Sequence, residues 1–190
     1  MAGIPQNIDT LNIIVYPHPG LRQVAEPVAN PADPLVVRLI ARMRELLPVA
    51  DGVGLAATQL GVPVRVILVN PTREPGLETV IINPETLETE GWQETDEGCL
   101  SLPGMTLKLR RRERVRVRYL DESGRPIELD AKGFLATILQ HETDHLDGKL
   151  IIDRASLLGR LAVRDALRRL EADFKSAPAA RTDSPVPASR

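Results

Sequence analysis

The chain has 190 residues, 43% of them hydrophobic and 26% charged, with a formal net charge of −2. That length fits one domain with its own core, and the near-neutral charge excludes a dedicated nucleic-acid binder that works by counterion release. No apolar run reaches the roughly 20 residues that span a bilayer, the N-terminus lacks a basic-then-apolar leader pattern, and the single cysteine, Cys99, cannot form an internal disulfide.

A cytoplasmic protein with no membrane or DNA role is therefore expected. Aromatic residues make up 3% of the chain, so aliphatic side chains must build the core. Arginine greatly outnumbers lysine, a bias in keeping with a GC-rich bacterial genome.

In chain order, residues 12–16 form a short apolar run closed by Pro17 and Pro19 and predict a strand. Leu35, Leu39, Met43 and Leu46 recur at helical spacing, and Pro48 is expected to end that helix. The glycine-rich stretch 52–61 reads as a structured loop. The β-branched runs 65–69 and 79–82 read as strands. Val115, Val117 and Tyr119 alternate with Arg114, Arg116 and Arg118, the signature of a half-buried strand. A turn at 121–124 then leads into a strand at 126–130. Helices are expected at 133–147 and 156–174. These elements predict an α+β fold, with mixed or antiparallel sheets packed around a central helix and a C-terminal helix behind. Residues 1–175 are expected to form the single domain, and the Pro/Ser/Ala-rich residues 176–190 a disordered tail.

The chemistry concentrates in the helix at 133–147. His141-Glu142-Thr143-Asp144-His145 is an H-E-x-x-H sequence, and residues four apart share a helix face, so both imidazoles can reach one ion. Glu142 is placed to accept a proton from an activated water. Ala136, Ile138 and Leu139 mark the helix as buried, and buried histidines and carboxylates need a partner to offset their desolvation. A third protein ligand has two candidates. One is Cys99 in Glu97-Gly98-Cys99-Leu100-Ser101, and the other is Glu171 on the arginine-dotted last helix, where a solvated charge is the simpler reading.

Three motifs together resemble the peptide deformylases. They are Gly52-Val53-Gly54-Leu55-Ala56-Ala57-Thr58-Gln59, Glu97-Gly98-Cys99-Leu100-Ser101 and Gln140-His141-Glu142-Thr143-Asp144-His145-Leu146, in the family's order and at comparable spacing. The resemblance runs from about Ile13 to Asp153. It implies a metal-dependent hydrolase that removes the formyl group, as formate, from the N-terminal formylmethionine of new polypeptides. It also implies one divalent ion on Cys99, His141 and His145, Fe2+ with Zn2+, Ni2+ or Co2+ as substitutes, and Glu142 as general acid/base. Gln59 and the backbone N–H of Leu100 would form the oxyanion hole. Gly54 would offer its backbone to the peptide, while Val53, Phe134 and Ile138 would line the methionine pocket. The chain departs from some members at Thr106, near which they carry an arginine.

Other readings account for less. The glycines of 52–54 superficially fit a dinucleotide-binding turn, but a helix precedes them and a strand follows, the reverse of what that motif requires. A cysteine hydrolase using Cys99 leaves the second histidine unexplained. A zinc metallopeptidase would use Glu171 in place of Cys99. A catalytically degenerate ribosome-binding module would turn Arg110, Arg111, Arg112 and Arg114, or Arg160, Arg164, Arg168 and Arg169, toward RNA; an active enzyme could also dock weakly through the last helix. Solvated faces are the simpler account of both arginine sets. Asp144 is either a partner of the ligand shell or a polar helix-edge position, Trp92 is read as packing, and His18 receives no role.

Overall fold

The computed structural model describes residues 4–176. Its first helix, α1 (Pro34–Val49), is capped by the Asp33 carboxylate, which accepts from the Leu35 N–H, with Pro34 in the first turn. Seven strands follow: β1 (Gly54–Ala56), β2 (Val66–Val69), β3 (Thr79–Glu90), β4 (Gln93–Cys99), β5 (Leu102–Arg111), β6 (Arg114–Leu120) and β7 (Pro126–Lys132). Then come α2 (Gly133–Leu146), the short α3 (Ile151–Arg154) and α4 (Leu157–Ser176). The strands form a five-stranded antiparallel sheet in the order β1-β2-β3-β6-β7 and a separate two-stranded sheet, β4-β5. The α+β expectation holds.

Both faces of the large sheet are covered, and the alternation of side chains along β2 shows how. Val66 and Leu68 join Val36, Leu39, Ile40 and Met43 of α1. Ile67 and Val69 point the other way, to Ala136, Ile138 and Leu139 of α2. A strand apolar at every position is what a site between two helices demands. The β4-β5 hairpin makes a third apolar layer. Leu102, Met105, Leu107 and Leu109 pack on Ile151 and Ile152 of α3 and on Val163 of α4. Helix α2, carrying the H-E-x-x-H sequence, thus packs on the large sheet while its ligand face must reach the hairpin.

Several expectations need correction. Residues 12–16 belong to neither sheet. They run extended between two partners, with Ile14 N donating to Gln59 O and Tyr16 N to Ser101 O, so no continuous ladder forms. Pro48 does not end α1, which runs on to Val49; so close to the C-terminus its missing N–H removes a single bond, the one to the Arg44 carbonyl, and only one residue follows it in the helix. The strand placed at 79–82 extends to Glu90, passing Asn83 at φ 52° and a register shift near Pro84. The stretch 52–61 holds β1 and a 3-10 turn, Ala57–Leu60. The hairpin β4-β5 was not anticipated. Ser176, the first residue of the expected tail, closes α4; positions 177–190 lie outside the described residues.

Candidate metal centre and substrate cleft

Cys99 is the last residue of β4, where the hairpin register breaks. Gly98 pairs with Thr106 but Cys99 with Leu102, so a bulge on β5 turns the end of β4 toward α2. His141 and His145 stand one turn apart on α2, and the Cys99 Sγ lies 3.2 Å from His145 Nε2. One donor atom from each of the three residues lies within 4.8 Å of the others. Glu171, the rival ligand, is not among them. It sits on α4, where its carboxylate accepts from the Tyr16 hydroxyl at 2.8 Å, so it is neither a ligand nor a free solvated charge.

These donor side chains are held from behind. Glu97, two residues before Cys99 and therefore on the same side of β4, has its Oε2 2.9 Å from His141 Nδ1. Donation from Nδ1–H to that carboxylate leaves Nε2 free for an ion. Arg111 donates to both oxygens of Glu97, at 2.8 and 2.9 Å, and to Asp144 Oδ2 at 2.6 Å. Arg154 of α3 closes the far end on Asp144. Arg111 is 4% exposed, so it is no part of an RNA-facing surface. Asp144 is buried and joined to His141 through Arg111 and Glu97, three hydrogen-bond links away, rather than a polar helix-edge position. Trp92 is half exposed and packs beneath the guanidinium groups of Arg110 and Arg112 rather than in the core.

The electrostatics follow from burial and these partners. Desolvation would raise the Glu97 carboxyl, but hydrogen bonds from His141 and Arg111 outweigh it and bring it to about 2. Burial likewise opposes a charge on His141, yet Cys99 and Glu97 hold its pKa well above the usual value. Burial and the neighbouring His141 push His145 well below it. Burial pushes the Glu142 carboxyl up to about 7, against the lowering pull of His141. Among the described residues neither Glu142 Oε2 nor His145 Nδ1 has a hydrogen-bond partner. One thiol and two imidazoles with donor atoms within 4.8 Å of one another form a donor set that a divalent cation fits, with the buried Glu142 beside His141 on the same helix.

Gln59 and Gly54 complete the floor. Gln59 Oε1 accepts from the Ala56 N–H at 2.8 Å, which turns its Nε2 toward Ser101 Oγ (3.2 Å) and Cys99 Sγ (3.8 Å). A Cβ built on Gly54 would lie 2.3 Å from Glu142 Oε1, so only glycine lets the Glu142 carboxyl rest there. Above lies a cleft of about 650 Å3 lined by Val53, Gly54, Leu100, Phe134 and Ile138, with Gln59, Cys99, His141 and Glu142 also facing it. Ile138 is buried and Phe134 is 58% exposed.

All ten residues singled out from the sequence thus gather at one place. Sequence reasoning gave no role to Glu97 and misplaced Arg111. Both had a signal: Glu97 is in phase with Cys99 on β4, and Arg111 is in phase with Met105, Leu107 and Leu109, the inward face of β5.

Comparison with known proteins agrees with this geometry. Residues 10–160 match the model of the polypeptide deformylase family. A peptide deformylase of Alkalilimnicola ehrlichii is 48% identical over 161 residues, covering 84% of this chain and 90% of its own. One of Thermodesulfovibrio yellowstonii is 47% identical over 152 residues, 79% of this chain and 92% of its own. The crystal structure of the Legionella pneumophila peptide deformylase superposes with a TM-score of 0.80 at 38% identity, covering 88% of this chain and 99% of the other. By these matches the chain belongs to the polypeptide deformylase family.

Proposed function

We propose that Cys99, His141 and His145 hold one divalent ion, Fe2+ in the cell, and that the cleft binds N-formylmethionyl peptides for hydrolysis to formate and a free amino terminus. The observation that carries this reading is the convergence of one donor atom each from Cys99, His141 and His145 within 4.8 Å, in a cleft that the buried Glu142 also lines with its Oε2 unpartnered. When bound, the ion supplies Lewis acidity, lowering the pKa of water and polarising the formyl oxygen.

The remaining work falls to the chain. Glu142, held close to neutral pH by burial, accepts the proton of the attacking water and returns it to the departing methionine nitrogen. Gln59 donates from Nε2 to the oxygen that gains charge, its amide kept in that sense by the Ala56 N–H. The Leu100 N–H is the second donor, and each donor is worth about 3 kcal/mol of barrier. Gly54 presents backbone to the peptide. Val53, Phe134 and Ile138 take the methionine side chain and keep bulk water from the reacting carbon. Mixed sulfur and nitrogen donors accept Fe2+ and equally Zn2+, Ni2+ or Co2+. Metal analysis of protein purified anaerobically, with oxygen-induced loss of activity, distinguishes ferrous iron from zinc.

Such an enzyme meets its substrate in the cytoplasm as chains emerge from the ribosome. Arg160, Arg164 and Arg168 lie on the exposed part of α4, and weak docking there is part of the proposal. Co-sedimentation with ribosomes unchanged by charge reversal at Arg164 and Arg168 would exclude it. No helix among the described residues is long and apolar enough to cross a membrane.

The decisive assay is formate release from formyl-Met-Ala-Ser by anaerobic, ferrous-loaded protein beside Cys99→Ala and Glu142→Ala. Release by the wild type, with loss in both variants and metal retained by Glu142→Ala, is expected. No release from metal-loaded wild type refutes the reading.

A further inference from the structure

We propose that Arg154, acting through Asp144, Arg111 and Glu97, positions the His141 ring, so that α3 governs how tightly the site holds its ion. The inference rests on the reading of Cys99, His141 and His145 as ligands, and the residue it turns on, Arg154, is neither one of those ligands nor part of the cleft lining.

The chain of contacts is continuous and almost wholly buried. Arg154 donates Nη2 to Asp144 Oδ1 at 2.5 Å and Nε to Oδ2 at 3.1 Å. Arg111 takes the other side of Oδ2 with Nη1, and spends Nε and Nη2 on the two oxygens of Glu97. Glu97 Oε1 also accepts from Thr95 Oγ1 at 2.9 Å, and its Oε2 meets His141 Nδ1. Every carboxylate oxygen is therefore assigned, and charges alternate from the surface inward. Arg111, Glu97 and Asp144 have side chains no more than 8% exposed, whereas that of Arg154 is 46% exposed.

Two physical points make this a positioning device. A guanidinium is a rigid plane, so Arg111 cannot shift toward one carboxylate without moving its bonds to the other. And a buried array of two cations and two anions is a weak source of stability compared with an apolar filling of the same space. What the array fixes is the direction of the Glu97 oxygen that His141 meets. Without Arg154, two buried carboxylates share one cation, Arg111 is drawn toward Asp144, and its hold on Glu97 loosens. Arg111, Asp144 and Arg154 are absent from the cleft lining, so peptide binding is left alone.

The test uses full-length protein loaded with Co2+, read by its visible absorption bands and by its rate of loss to a chelator. Wild type is expected to take up one equivalent with a thiolate charge-transfer band, and Cys99→Ala to lose that band. Should wild type bind no stoichiometric cobalt, the ligand reading falls and this inference with it. Arg154→Met is expected to keep the equivalent but release it about 10-fold faster, with shifted bands and a lower kcat at unchanged KM for the formyl peptide. Arg154→Lys, which keeps the charge without the two-pronged bond, is expected to fall between, and it also serves should the Met variant not fold. Wild-type bands and release rate in both variants, whatever their melting temperatures, would overturn the proposal.

Discussion

The residue with the least side chain carries the tightest geometric demand. Gly54 is in contact with Glu142 where any Cβ would overlap the carboxyl. Gly54→Ala should therefore displace Glu142, the proposed general base, while leaving Cys99, His141 and His145 in place. We expect kcat to fall about 100-fold, the loss associated with roughly 1 Å of misplacement, with metal content unchanged by elemental analysis. A metal-free Gly54→Ala protein would show instead that the glycine serves the ligand set. Glu97 makes a different point about single residues. It precedes Cys99 by two in a motif already suggestive of chemistry, yet nothing in its own identity separates a surface carboxylate from one buried against His141. Only the phase of β4 does so.

At the scale of elements, legibility tracks hydrophobic period. Helix α2 and the β6-β7 hairpin repeat their apolar residues at 3.6 and 2, and both were readable to within a residue or two. The β4 strand was not, because its inward positions Gln93, Thr95, Glu97 and Cys99 are polar: they are satisfied by Thr137 and Gly133, by one another, by Arg111 and by the site. A polar strand face looks like a loop until its partners are known. Its partner β5 carries the apolar anchor, and Leu102→Ala, at a fully buried position, should cost about 2–5 kcal/mol in denaturant unfolding. The β6-β7 turn yields a pH prediction. Asp121 accepts from the Ser123 hydroxyl and N–H and from Arg125, which bring its carboxyl down to about 2. Its folded pKa lies below the unfolded value, so its contribution to hairpin stability is complete above about pH 4. That contribution is lost as pH falls through about 2. A carboxyl 13C titration of Asp121 with its midpoint at the ordinary aspartate value would contradict this.

For the whole molecule, the site lies where two independently packed bodies meet: α2 on the five-stranded sheet, and the β4-β5 hairpin on α3 and α4. An ion that binds only the folded chain stabilises it by about 2.7 kcal/mol at 100 times its dissociation constant, so chelation should lower the melting temperature and added metal restore it. Where that stability resides follows from the split. Cys99 comes from one body and both histidines from the other, 42 and 46 positions further along the chain. A bound cation is thus a rivet through a seam, and the seam is where loosening should begin. Amide hydrogen exchange should speed up on stripping the metal in β4 and around Ser101, where Tyr16 N is tied, while β2, clamped between two helices, keeps its protection. A fault line of this kind also sets the order of opening: a chain stripped of its ion is expected to part at its hairpin first, offering proteases an end to grip while the rest is still folded.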